Sequence, residues 1–277
     1  MRFRTHNIAP LFLGTDGLTD AQEKELRELS ERHANFLSEE DPKLKAKYKL
    51  TPNMEEKLDN LLDLKERYET GNFELPQGAR TLIEEYVDAE VYQYRSTFDS
   101  KEVSKGRDED VENSSIQLYN DVYFTSHKKL VEGDTYYELS YNNIVGHPDI
   151  VCESTHMVKD AKSSWNKKTF PKTIEKAENS TYTWQVRTYL YMLQGMTKNT
   201  MWNSGEVFHA LVDTPENLVP EYEDDSLHVS SNLQGNIRLT VVPVELTDDH
   251  VAHMDRRISM ALRYAEKYRE FLLNKNK

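Results

Sequence analysis

The stretch GHPDIVCESTHMVKDAK, residues 146–162, decides the fold, because it holds two apolar runs separated by a short polar segment. This pattern predicts a β-hairpin that turns near Ser154. Side chains alternate between faces along a strand, so Asp160 and Lys162 should point the same way. The hairpin should also bring Asp149 beside Asp160. Two carboxylates and an ammonium at strand ends predict a divalent-metal site, because hard Mg²⁺ prefers oxygen ligands.

A helix is predicted from the next motif, YTWQVRTYLYML at residues 182–193. Gln185 and Tyr189 stand at positions i and i+4, so a helix presents both side chains on one face. Taken alone, Tyr189 is best explained as a core aromatic residue, because the apolar segment 190–193 adjoins it.

Three elements occur in a fixed order, namely Pro148-Asp149, Asp160-Ala161-Lys162 and Gln185-x-x-x-Tyr189. Each is uninformative alone, but together, on two predicted strands and a helix, they resemble the PD-(D/E)xK nuclease superfamily. Within it, the stretch is similar to the RecB-type and λ-exonuclease-like (phage-type) branch, which carries the Q-x-x-x-Y helix. The resemblance covers roughly residues 105–270.

The resemblance implies an α/β fold with a restriction-endonuclease-like core, in which helices flank a central mixed β-sheet. It implies Mg²⁺ (or Mn²⁺) as the cofactor, held by the carboxylates of Asp149 and Asp160 and by the backbone carbonyl of Ala161.

It also implies catalytic roles for Lys162, Gln185 and Tyr189 together with the two aspartates. A lysine beside two carboxylates keeps its charge, so Lys162 is expected to orient the attacking water rather than to deprotonate it. Gln185 and Tyr189 are expected to face the substrate and to bind phosphate oxygens.

A further metal ligand is expected on a helix that precedes the hairpin. Nucleases of this branch place an acid there, after a glycine that corresponds to Gly106. The apolar spacing before Ile116 favours Glu112, whereas the distance from the glycine favours Glu109 or Asp110, and the alternatives stay open. Acids in a first helical turn are also common simply because they interact well with the helix dipole.

Lysines are concentrated in residues 159–176, which contain six lysines, two acids, and the aromatic residues Trp165 and Phe170. Local positive charge with aromatic faces is typical of nucleic-acid strand binding, although the whole chain has a formal net charge of −13. A solvated lysine-rich loop is the alternative. The expected substrate-binding residues are Lys159, Trp165, Lys167, Lys168, Gln185 and Tyr189.

Composition excludes several classes of protein. Cys152 is the only cysteine among 277 residues, which argues against a disulfide framework and against cysteine-based zinc or iron–sulfur sites. No apolar run approaches the roughly 20 residues that span a bilayer, and the first residues lack the apolar core of a signal peptide. The sequence therefore predicts a cytoplasmic protein, in the host cytoplasm if the chain is phage-encoded.

Two regions are predicted: residues 1–100 form a helical N-terminal region that packs on the core, and residues 101–277 form the nuclease core. Strands are expected at 123–131, 135–145, 206–212 and 237–244. Pro243 marks the last of these as an edge strand, because proline lacks the N–H that pairing needs. A long final helix should follow Thr247. The acidic segment 213–231 is either a fence against wrong substrates or a solvated loop.

The function predicted from these features is metal-dependent hydrolysis of DNA phosphodiester bonds, by an exonuclease that acts in recombination or end processing. The alternatives are an endonuclease or nickase on the same core, and a non-catalytic nucleic-acid-binding protein on a decayed nuclease core. The expected partners are DNA (duplex ends or single strands), a single-strand annealing or recombination protein, and further copies of the chain in a homo-oligomer.

Overall fold

The hairpin predicted from residues 146–162 forms part of a mixed α/β fold. The computed structural model of the protein describes residues 1–14, 18, 20–69, 74–94 and 109–275, and Gly106 lies outside them. The strands there are β1 Phe3–Arg4, β2 Leu139–Tyr141, β3 Ile144–Gly146, β4 Ile150–Cys152, β5 Met157–Ser163, β6 Ser204–Ala210 and β7 Leu239–Glu245. The α-helices there are α1 Ala9–Phe12, α2 Asp20–Ser38, α3 Pro42–Tyr48, α4 Pro52–Glu69, α5 Gln77–Val91, α6 Glu109–Tyr123, α7 Ile174–Ala177, α8 Ser180–Thr197 and α9 Asp248–Asn274.

A four-stranded mixed sheet with the order β4-β5-β6-β7 carries the hairpin at one side. β4 runs antiparallel to β5, β5 runs parallel to β6, and β6 runs antiparallel to β7. The expected central mixed sheet is thereby confirmed. Pro243 lies in β7, which is an edge strand as predicted, because the free side of an edge strand tolerates a residue without an N–H.

Helices cover both faces of this sheet, as the α/β prediction requires. On one face, α6 packs its apolar residues against the sheet, with Tyr119 against Phe208 at a ring-centroid distance of 4.8 Å. On the other face, α8 approaches β6 so closely that a Cβ on Gly205 would lie 2.6 Å from Val186 Cγ1. The missing side chain of Gly205 therefore sets how near α8 lies to the sheet.

A second, three-stranded sheet has the order β1-β3-β2, and it shows where the predicted strands at 123–131 and 135–145 were wrong. The first is replaced by the end of α6 and an irregular segment, and the second is split into β2 and β3. The Asn120 side chain bonds both the N–H and the carbonyl of His127. Because these bonds satisfy both backbone groups of His127, that residue needs no partner strand.

The chain folds as two compact units. One consists of Met1–Leu13 and Gln77–Lys277 and contains both sheets, and the other is Gly14–Pro76 and contains α2, α3 and α4. The smaller unit has a leucine core of its own, and its Arg32 guanidinium donates to backbone carbonyls of residues 47–49. In the larger unit, α9 starts after Thr247 as predicted and packs along α5. None of the helices described is long and apolar enough to cross a membrane.

Candidate active site

The hairpin brings Asp149, Asp160 and Lys162 together. Ile150 pairs with Lys159, so the preceding Asp149 comes level with the following residues of β5, and its Oδ2 accepts a hydrogen bond from Ala161 N at 2.7 Å. Asp160 is 1% exposed, and its Oδ2 lies 2.6 Å from Lys162 Nζ. The buried Asp160 and the half-buried Asp149 thus lie beside one partly exposed ammonium.

Burial and crowding of like charges set the protonation of this group. Burial and the neighbouring carboxylates of Asp160 and Glu112 raise the pKa of Asp149 well above its usual value. Burial also raises the pKa of Asp160, against the effect of Lys162. Burial alone would lower the pKa of Lys162, but Asp160 and Asp149 outweigh it, so that the pKa is raised and the ammonium is retained.

Glu112 is the helix-borne acid that the structure brings to this group. It shares a hydrogen bond with the Asp149 carboxyl and acts on the charge of Asp160, whereas Glu109 and Asp110 are exposed at the start of α6. Its Oε2 also accepts a hydrogen bond from Lys129 Nζ. A second lysine therefore offsets part of the crowded negative charge.

Gln185 and Tyr189 lie on the face of α8 that meets Lys162. Gln185 Oε1 accepts from Lys162 Nζ at 3.3 Å, and Gln185 Nε2 donates to the Tyr189 hydroxyl at 3.1 Å. The hydroxyl donates in turn to the carbonyl of His147 at 2.9 Å. Burial and the charges of Asp160 and Asp149 raise the pKa of Tyr189, which keeps the hydroxyl protonated. A chain of hydrogen bonds therefore runs from the residues before Asp149 to Lys162.

Thr5 is a residue of this network that the sequence did not reveal. Its Oγ1 donates to the Tyr189 hydroxyl at 3.0 Å, across 184 residues of chain. The contact depends on Gly146, because a Cβ there would lie 2.3 Å from Thr5 Oγ1 and 2.8 Å from Tyr189 Cε1. Gly146 is the first residue of the stretch 146–162, but no local sequence pattern links it to Thr5.

A cleft of about 640 Å³ opens beside Lys162. Its lining includes Trp165, Tyr182, Gln185 and His209, and the Lys162 ammonium lies 4.8 Å from the centre of the Tyr182 ring. A smaller cavity of about 220 Å³ lies on the other side of Gln185, which lines both. The group of carboxylates and lysine is therefore reachable by a ligand through the side where Lys162 and Gln185 lie.

Lys159, expected to bind substrate, is not brought to this group. It is 5% exposed and faces α6, where its Nζ donates to Glu206 Oε2 at 2.6 Å and to the Tyr119 hydroxyl at 2.9 Å. The physical reason is strand alternation: Lys159 and Lys162 are an odd number of residues apart in β5 and point to opposite faces.

The other residues of the lysine-rich segment have different surroundings. Trp165 is half-buried and lines the cleft, Lys167 donates from Nζ to the carbonyl of Ser226 at 2.8 Å, and Lys168 is exposed. Phe170 is only 5% exposed, so it offers no free ring face to a base, contrary to expectation. The acidic segment 213–231 contacts this lysine-rich segment directly, for example through Lys167 N and Leu227 O at 3.0 Å.

The carboxylates of Asp149 and Asp160 suit a hard divalent cation. Asp160 Oδ2 is buried and accepts no hydrogen bond among the described residues, because the ammonium 2.6 Å away is an ion-pair partner without hydrogen-bond geometry. In the described ranges, no three His, Cys, Asp or Glu side chains converge as a ready metal site, and Glu112 is engaged by Lys129. Mg²⁺ needs only one or two carboxylates and keeps several waters, so Asp149 and Asp160 fit it.

No family model and no curated protein match the chain. Among solved structures, the chain is similar to a phage-related exonuclease from Haemophilus somnus 129PT, with a TM-score of 0.61 and 20% identity over 76% of this chain and 89% of that one. An alkaline exonuclease from Laribacter hongkongensis aligns with a TM-score of 0.48 and 12% identity over 73% of this chain and 87% of that one. Its complex with dAMP aligns with a TM-score of 0.47 and 12% identity, over 72% and 86%. The first likeness establishes a shared fold.

Proposed function

We propose that the protein is a Mg²⁺- or Mn²⁺-dependent deoxyribonuclease that digests DNA from its ends. One observation carries the proposal: the buried Asp160 and the half-buried Asp149 lie beside Lys162, which donates a hydrogen bond to Gln185 at the edge of an open cleft. Removing charged groups such as these from water costs several kcal/mol per fully buried ion. Retaining such a group beside a cleft is typical of a catalytic site.

Each residue has a role that follows from its contacts. Asp149 and Asp160 would hold the cation, with the backbone carbonyl of Ala161 as a further ligand and Glu112 beside them. When bound, such a cation supplies an activated water and offsets charge on the departing oxygen. Lys162 keeps its proton, so it orients the water and neutralises phosphate charge as a hydrogen-bond donor.

Gln185 and Tyr189 act on the geometry of the site. Gln185 accepts a hydrogen bond from the Lys162 ammonium and thereby fixes the direction of its other two N–H bonds. Tyr189 links Gln185 to the His147 carbonyl, so it ties α8 to the segment between β3 and β4 that carries Asp149. Gln185 also lines both cavities and can contact a phosphate oxygen.

The cleft favours a terminal or unpaired strand over an intact duplex. Trp165 on its wall offers an aromatic surface for a base, and stacking requires that the base be unpaired. Lys168 and Lys176 add positive charge for the backbone, Lys168 as an exposed residue and Lys176 in the cleft lining, while Lys159 takes no part because it faces α6. The fold shared with the Haemophilus somnus exonuclease supports action on ends.

The test uses three labelled DNA substrates: a linear duplex, a single strand and a covalently closed circle. With Mg²⁺ or Mn²⁺, the linear substrates should be degraded and the closed circle should survive. Excess chelator should stop all cleavage. Rapid cutting of the closed circle would replace the exonuclease by an endonuclease or nickase on the same site. Cleavage that persists in chelator would remove the cation from the proposal.

A further inference from the structure

The wall of the cleft is tied to the acidic segment 213–231 by one carboxylate. Glu223 Oε2 accepts hydrogen bonds from Asn166 Nδ2 at 3.2 Å and from His228 Nε2 at 2.7 Å. Two donors from two segments thus converge on one acceptor.

A second set of contacts fixes the same tryptophan from behind. The His228 ring meets the Trp165 ring edge to face, with a centroid distance of 5.7 Å and an interplanar angle of 86°. His228 is 2% exposed, and its Nδ1 lies 3.1 Å from Thr214 Oγ1, which donates to the backbone carbonyl of Trp165 at 2.9 Å. Trp165 is therefore held at its backbone by Thr214 and at its ring by His228, which Glu223 fixes in turn.

We propose that Glu223 is a positioning residue of the candidate active site, which holds the Trp165 indole on the cleft wall in the orientation that receives the base of a terminal nucleotide. This inference rests on the proposed function. An aromatic side chain that is already fixed loses little rotational freedom when a base stacks on it, so more of the stacking energy contributes to binding. The acidic segment 213–231 would thus orient a substrate-binding side chain. This role differs from both roles considered for it, exclusion of wrong substrates and a solvated loop.

The direction of the change in KM on replacing Glu223 distinguishes a positioning role from a simple effect of its charge. Removing an acid near a DNA-binding cleft should by charge alone tighten DNA binding and lower KM. Loss of the positioning contact should instead raise KM, because the indole becomes free to rotate. Glu221 is a matched control, since it is an exposed acid two residues earlier in the same segment. Glu221→Ala changes the charge in the same way without touching Trp165.

The experiment compares Glu223→Ala, Glu223→Gln, Glu221→Ala, Trp165→Ala and the Trp165→Ala/Glu223→Ala double variant on a labelled single strand. Glu223→Ala should raise KM about fivefold or more, a factor within the range for loss of one base–aromatic stack, and leave kcat within about twofold. Trp165→Ala should do the same, and adding Glu223→Ala to it should change KM no further. Glu223→Gln, which keeps an acceptor, should fall between wild type and Glu223→Ala. An unchanged or lowered KM in Glu223→Ala, or a further rise in the double variant, would overturn the proposal.

A readout without DNA keeps this inference separate from the proposed function. In a Trp184→Phe/Trp202→Phe background, Trp165 is the only tryptophan. Its fluorescence anisotropy should fall in Glu223→Ala and in Glu223→Gln to a smaller extent, and should stay unchanged in Glu221→Ala. Equal anisotropy in all four proteins would refute the positioning role. A protein that shows the expected anisotropy but does not digest DNA would refute the proposed function alone.

Discussion

At the scale of single residues, Lys162 separates catalysis from cation binding. Its Nζ lies 2.6 Å from Asp160 Oδ2 and would compete with a cation for that oxygen. Lys162→Ala should therefore bind Mn²⁺ at least as tightly as wild type, while kcat falls about 100-fold or more, the range for loss of a preorganised hydrogen-bond donor. Calorimetric titration with Mn²⁺ and steady-state kinetics measure the two effects.

Two variants control this prediction. Asp160→Ala should lose both Mn²⁺ binding and turnover, because it removes a proposed ligand. Lys168→Ala removes the same charge from an exposed position and should retain kcat. Near wild-type turnover in Lys162→Ala would show that the site is placed wrongly.

The Tyr189 hydroxyl should matter for stability. It accepts from Thr5 and Gln185 and donates to the His147 carbonyl, all within a buried region. Tyr189→Phe leaves these partners unsatisfied, so it should lower the free energy of unfolding by about 1–3 kcal/mol. Urea denaturation measures the loss. Tyr191→Phe, in the same helix but bonded to Asn142 and Asp255, is the matched control for kcat: it should cost stability without affecting turnover, whereas Tyr189→Phe should lower both.

The buried His209 imidazole should contribute to the dependence of folding stability on pH. Burial lowers the pKa of its imidazole below the ordinary value, so the folded protein binds this proton less readily than the unfolded chain does. The contribution of His209 to the free energy of unfolding is therefore complete above about pH 6.5 and is lost as the pH drops below it. His209→Gln cannot take up the proton, so its melting temperature should fall less than that of wild type between pH 7.5 and pH 5.5. Equal falls would contradict this origin of the acid sensitivity.

Which residues the sequence could predict depends on how local their signals are. That Asp149, Asp160 and Lys162 lie together follows from the hairpin and from strand alternation, which act over a few residues, whereas Gln185 was implied by the resemblance of its motif. Thr5 could not be found, because its partner is 184 residues away and a single threonine carries no pattern. Phe170 was expected on a surface and is buried, since composition alone does not say which side of a loop faces the core.

At the scale of elements, the distance between α8 and the sheet should control the site. A Cβ at position 205 would meet Val186 Cγ1 at 2.6 Å and the Val158 carbonyl oxygen at 2.8 Å, and the latter is backbone that cannot yield easily. Gly205→Ala should therefore push α8 outward, cost about 1–3 kcal/mol of stability as overpacking does, and move Gln185 away from Lys162. The melting temperature, measured by thermal unfolding, and kcat should both fall.

Gly78→Ala is the control for a general effect of replacing glycine. Its Cβ would meet the nearest atom, Pro10 Cβ, at 3.7 Å, and the residue lies in α5. Alanine in a helix is more favourable than glycine by about 0.5–1 kcal/mol, so this variant should be as stable as wild type or slightly more. A stable, active Gly205→Ala protein would show that α8 can be displaced without harm.

Element types were predicted well where periodicity was strong and poorly where side chains replaced backbone pairing. The hairpin, α8, the edge strand with Pro243 and the helix after Thr247 all formed as predicted. The strand expected at 123–131 did not, because the Asn120 side chain takes over the bonds that a partner strand would make. Such a substitution depends on where α6 ends, which a hydrophobic pattern does not specify.

At the scale of the whole molecule, the first seven residues should be required for the fold of the larger unit. Phe3 is fully buried, β1 pairs in parallel with β3, and Thr5 bonds Tyr189. Deleting residues 1–7 should lower the melting temperature and abolish nuclease activity, which thermal unfolding and the linear-duplex assay measure. Deleting residues 276 and 277 serves as a control for loss of a chain end and should change neither, because the contact between Lys275 and Tyr92 is kept. A truncated protein with native stability would show that β1 is dispensable.

The hydrogen bond between Thr5 and Tyr189 can form only late in the synthesis of the chain. A ribosome adds about 5–20 residues per second, so the 184 residues that separate the partners take roughly 10–40 s to follow. Until then Thr5 has no partner, and β6, β7 and α9 are still to be made. A nascent chain therefore lacks a finished site. The proposed activity on DNA would therefore be absent until these elements have been synthesised.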